Sequence, residues 1–179
     1  MEKFEKKLTG RKLKKHLEEL FLSGNWEAQF SELTKEYESK LIGPLFHHLY
    51  NANSLIKWRT VEAFGILAEN MLENDRNQVR NIIRRIIWML TEESGGVPWG
   101  TPEVMAEIIT KDRLFAEEYY TMLVSYVYDN EGGPEIYLDN DKLRRGAYWG
   151  IARVAEVFPD LIEKEIEIVK ERIEIEEDP

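Results

Sequence analysis

Three segments of the chain are variants of one another, and this constrains the fold more than any other feature. WRTVEAFGILA begins at Trp58, WGTPEVMAEII at Trp99 and LRRGAYWGIAR at Leu143, separations of 41 and 44 residues. In this register Gly65, Ala106 and Gly150 fall together as small residues, and Phe64, Met105 and Trp149 as large apolar ones. A small residue beside bulky neighbours lets the next helix approach closely. Each segment follows another stretch of helical periodicity: residues 40 to 50, then 77 to 91 with Val79, Ile82, Ile83, Ile86, Ile87 and Leu90 in phase, then 113 to 128. A lone helix pair cannot bury its apolar face, so consecutive pairs are expected to stack around a continuous core. The reading is an all-α solenoid of about three helix pairs with flanking helices.

Upstream, Leu13, Leu17, Leu20 and Phe21 predict one helix, and Trp26, Phe30, Leu33 and Tyr37 predict a second, divided by Ser23-Gly24-Asn25. Pro44 stands where the first turn of a third would tolerate it. The expected organisation is one domain over residues 1–179: a basic N-terminal helix (1–24), stacked helix-pair repeats (25–158) and an acidic C-terminal capping helix (159–179).

Charge and composition remove several functions. The net charge is −10, and residues 1 to 15 hold seven Lys or Arg against two Glu, which leaves 17 basic and 32 acidic side chains in the remainder. Such a body repels phosphate, so nucleic acid is not the expected partner. The absence of cysteine removes disulfides, thiolate catalysis and Cys-ligated zinc. The charged opening MEKFEKKLTGRKLKK lacks the apolar segment of a secretory signal, and no run approaches the roughly 18 apolar residues of a membrane span. The expectation is a cytoplasmic protein with no membrane partner.

No phosphate-binding G-x-x-x-x-G-K-[ST] loop, dinucleotide G-x-G-x-x-G, G-x-S-x-G elbow or H-E-x-x-H helix occurs. The histidines are His16, His47 and His48; the last two are expected to divide into one packed and one solvated ring rather than to bind metal. DNEGGPEIYLDND, residues 129 to 141, is acidic but out of register for a calcium loop, with Gly133 and Pro134 at its fifth and sixth positions. It is expected to be a solvated insertion, and no metal or cofactor is expected.

The patterns Arg59-x-x-Glu62-Ala63-Phe64-Gly65 and Arg144-x-x-Ala147-Tyr148-Trp149-Gly150 resemble HEAT and armadillo-like repeat proteins over roughly residues 40 to 158. A narrower resemblance rests on WRTVEAFG, on RRGAYWGIARVAEVFP and on residues Trp88 to Met105. The last fits W-x-L-x-E-E/D-S-G-G-x-x-W-G-x-P-E-x-M, a block shared by a group of small bacterial and archaeal HEAT-repeat proteins of uncharacterised function. The resemblance implies a fold and brings no substrate. Other HEAT-like proteins are DNA glycosylases for alkylated bases or resemble bilin lyases, which sets the enzymatic alternative. In it, Trp58, Trp99 or Trp149 would hold a base and Glu103 or Glu107 would stabilise positive charge.

The candidate partner-binding residues are Trp88, Glu92, Glu93, Trp99, Glu103, Glu107, Arg145, Trp149 and Arg153, with no catalytic residue among them. Trp88 lies off the apolar stripe of its helix, alongside Arg84 and Arg85. It is expected to pack under the glycine-rich loop, the alternatives being a cation–π pair with Arg84 or Arg85, or an anchor for a partner. Thr101-Pro102-Glu103 is a helix start, with the hydroxyl at the N-cap, proline next and a carboxylate at the positive end of the dipole, a role that suffices to account for Glu103 beside its candidacy as a binding residue. Glu107 occupies the repeat position of Ile66 and Ile151, and Arg153 that of Ala68 and Ile109. Two charges in aliphatic positions on successive repeats predict a mutual ion pair, with Glu92 or Glu93 nearby. The leading functional reading is a noncatalytic interaction module whose inner face takes a basic or mixed-charge protein or peptide. A small-ligand pocket under ESGGVPWG is a further possibility.

Overall fold

The computed structural model describes residues 8–91, 96–128 and 136–176, and among them the chain is all-helical, without strands. In order come α1 (Gly10–Phe21), α2 (Trp26–Tyr37), a 3-10 turn (Glu38–Leu41), α3 (Ile42–His48), α4 (Ser54–Asn74), α5 (Arg76–Thr91), α6 (Thr101–Ile109), α7 (Arg113–Ser125) and α8 (Asp141–Val157). α9 (Pro159–Ile162), a second 3-10 turn (Glu163–Glu165) and α10 (Ile166–Ile175) follow. The expected acidic C-terminal helix is thus broken into two pieces.

Helix starts are set by short polar side chains accepting otherwise orphaned backbone N–H groups. Asn53 accepts from Leu55 N–H, and Asn140 from Lys142 and Leu143. Asp112 accepts from Leu114 and Phe115 while also taking the Arg76 guanidinium at 2.6 Å. α6 begins differently from expectation: its N-cap is Gly100, at φ 103°. Glycine enters that left-handed region at no steric cost, so the turn falls one residue earlier than the Thr-Pro pattern suggests. The Thr101 hydroxyl instead donates to Pro98 C=O at 2.6 Å inside the core.

α6 is the centre of the molecule. It packs against α4 on one side and α8 on the other, with α5 and α7 also against it, and every one of its residues is buried. The small residues do what their alignment implies. A Cβ on Gly150 would come 3.1 Å from the Cβ of Ala106, and one on Gly65 would come 3.4 Å from the backbone oxygen of Glu107. These glycines bring α8 and α4 onto α6. Phe64 and Met105 are buried in the same core, whereas Trp149 is only partly covered.

One clamp was not legible in the pattern. Arg144 is 8% exposed; its guanidinium donates to Glu176 from two nitrogens, each at 2.6 Å, and to the carbonyls of Leu138 and Asp139. It fastens the residue after α10 to the start of α8. No helix of the described residues is long and apolar enough to cross a membrane.

Candidate functional site

α6 carries a glutamate at Glu103 and another one turn on at Glu107, and both are buried, at 9% and 7% exposure. Residues four apart share a helix face. Glu107 Oε1 accepts from Arg153 Nε on α8 at 2.8 Å, so the two charges in aliphatic repeat positions neutralise each other across the helix interface. Arg153 also donates to Glu156 at 2.6 Å.

Glu103 has no such partner among the described residues; it stands in the first turn of α6 as the sequence predicts, and the structure adds that it is buried there. Opposite its carboxylate lies Gly146 of α8, whose missing side chain makes the room: a Cβ there would be 2.5 Å from Glu103 Oε2. That oxygen is buried without a hydrogen-bond partner. Burial pushes the carboxyl up to about 7, opposed by the N–H groups of Glu103 and Gly100 and by the charge of Lys57. A solvated N-terminal-turn acid would be held down, not raised.

Around this pair the tryptophans take different places. Trp58 of α4 and Trp149 of α8 touch, their ring centroids 5.4 Å apart, so the helices flanking α6 meet through their indoles. Trp99, 47% exposed, carries two ammonium groups against its ring, Lys142 Nζ at 3.8 Å and Lys57 Nζ at 5.1 Å from the centroid. Trp88 stands apart at 62% exposure, and residues 92–95 of the glycine-rich stretch expected to cover it lie outside the described residues. It does not hold the nearby arginines: Arg85 lies 3.9 Å over Phe46, and Arg84 donates to Asn81. Arg145 is exposed on α8. Glu92 and Glu93, and most of the acidic stretch 129 to 141, lie outside the described residues.

Beside the Glu107–Arg153 pair opens a groove of about 460 Å³ between α2, α4, α6 and α8, with Trp26, Ile66 and Trp149 for apolar walls. Its carboxylates are Glu27, Glu62, Glu107 and Glu156; its cations are Lys111 and Arg153. Glu62 is raised above the ordinary carboxylate range, first by burial and then by the like charges of Glu27 and Glu107. Sequence reasoning missed Glu62 as a site residue, although a signal exists: it occupies the same repeat position as Glu103.

The histidines divide into one packed and one solvated ring. His48 is buried with Nε2 2.9 Å from Lys14 C=O, and His47 is exposed. Among the described residues no group of three or more His, Asp or Glu side chains is placed to hold a metal ion.

No family model matches the chain, and no solved structure matches it. An uncharacterised protein of Archaeoglobus fulgidus is 27% identical over 130 residues, which is 73% of this chain and 62% of that protein. The aligned region therefore spans less than two thirds of that relative.

Proposed function

We propose that the chain is a HEAT-like helical solenoid acting as a noncatalytic interaction module in the cytoplasm, with the face formed by α4, α6 and α8 receiving a protein or peptide. The observation that carries this reading is the groove beside Glu107 and Arg153. It joins partly covered aromatic surface to paired charges, the combination that dominates recognition surfaces. Stacked helix pairs present such a face as a continuous concave surface.

A peptide library displayed on phage, selected on the wild-type chain and counter-selected on a Glu107→Gln, Trp149→Ala variant of unchanged circular dichroism, tests the reading. Enrichment of peptides that require the two native residues supports it. Peptides that bind both proteins equally overturn it.

A second reading, excision of an alkylated base, draws on Glu103. A buried carboxyl without a partner, one turn after the exposed Trp99, has the composition of a site for a cationic base. The acidic body opposes it, since duplex DNA binding requires a basic track. Release of free base from methylated DNA by the wild type and not by Glu103→Gln would establish this reading in place of the first.

A further inference from the structure

We infer that the occupant of the groove is a basic segment of a partner protein that inserts a Lys or Arg side chain between Glu27 of α2 and Glu62 of α4. This rests on the interaction-module reading and names the chemistry of its partner. Every cation at the groove is already engaged. Arg153 is held by Glu107 and Glu156. Lys111 Nζ lies 4.0 Å from Glu69, outside the groove lining. Arg59 donates to the carbonyls of Phe21 and Ser23 and lies over the Trp26 ring, 5.7 Å from its centroid.

Glu27 and Glu62, by contrast, form no ion pair or side-chain hydrogen bond among the described residues, and neither belongs to the residues with further contacts. The groove lining therefore has four carboxylates against two cations, and its unneutralised charge sits at the α2–α4 side. Burial is the first cause of the upward push on Glu62; the like charges of Glu27 and Glu107 add to it against the pull of Arg59, and an added cation would relieve that repulsion.

The rest of the lining suits the same guest. Ile66 and the Trp149 indole offer apolar surface for the aliphatic stem of a long basic side chain, while the head reaches the carboxylates. Indole faces also attract cations. An acidic segment would meet Glu27 and Glu62 with no free cation to answer it, and a neutral one would leave both carboxylates partly desolvated.

Three ten-residue peptides of common scaffold, carrying Lys/Arg, Gln or Glu at their variable positions, can be titrated into the 15N-labelled protein. The expected result is a shift of the Trp149 indole resonance by the basic peptide, at least tenfold tighter binding than of the Gln peptide, and weakening with added salt. Glu27→Gln, Glu62→Gln removes at least tenfold of that affinity; neither side chain belongs to the core or to an ion pair among the described residues, so the thermal transition stays in place. If the Gln or Glu peptide shifts the Trp149 indole as strongly as the basic one, the inference about charge falls and the interaction-module reading stands. If the basic peptide binds without moving that indole, or no peptide moves it, both fall.

Discussion

Glu103 and Glu107 stand one turn apart on the same helix, equally buried, and face opposite answers from α8. Glu107 meets an arginine; Glu103 meets a glycine. A buried carboxylate costs several kcal/mol unless a charge and hydrogen bonds replace the lost water. Glu107 has both from Arg153, whose Nε lies 2.8 Å from Oε1. Glu103 has only backbone N–H groups and a lysine, and its proton affinity rises to about 7 instead. The difference is set by one position of α8, seven residues before Arg153, where the absence of a side chain admits a carboxylate but supplies no partner.

The contrast can be broken at several points. The largest effect is expected from Arg153→Met, which strands Glu107 in the interior. Urea denaturation should show a loss of about 4 kcal/mol, most of it restored by adding Glu107→Leu.

Glu103→Gln tests the other half. The folded carboxyl titrates near 7 and the unfolded one near 4.5. The wild type therefore keeps its full stability below the lower value and loses stability as pH rises through the higher. The Gln variant should match the wild type at about pH 4 and exceed it by about 3 kcal/mol at about pH 8, measured by denaturation across pH.

Gly146→Ala is a smaller perturbation, because the flexible end of Glu103 can yield. A loss of about 1–2 kcal/mol is expected, and it should largely vanish in a Glu103→Ala background if the carboxylate is what the new methyl meets. Least of all is expected from Asp160→Ala. Its pairing with Arg113 at 2.6 Å is close but exposed, and the melting temperature should hardly move. A large drop there would show that distance, not burial, governs the ion pairs of this chain.

What the sequence discloses follows from what periodicity can express. The Glu107–Arg153 pair is legible because the repeat supplies a reference: charges where the other copies have Ile66, Ile151, Ala68 and Ile109 demand a partner, and the two lie on helices that the register makes neighbours. The close approaches at Gly65 and Gly150 are legible for the same reason. Glu103 is not, since an acid in a first helical turn already has a local explanation. Its burial depends on Gly146, a residue forty-three positions away that resembles any other small helix residue. The α6 start was misplaced by one residue because Thr-Pro carries a strong signal, while the left-handed Gly100 that overrides it is a property of the preceding turn. Trp88 differs again, for an aromatic off the core stripe is expected to be covered by the glycine-rich stretch, whose residues 92–95 lie outside the described residues.

The most direct measurement of this account is a pH titration of the glutamate side-chain carboxyl carbons by 13C NMR, in the wild type and in Glu103→Gln. One resonance should titrate with a midpoint of about 7 and be missing from the variant. If the resonance lost with Glu103 titrates near 4.5, the carboxylate is solvated or paired, and the contrast between the two glutamates of α6 does not exist.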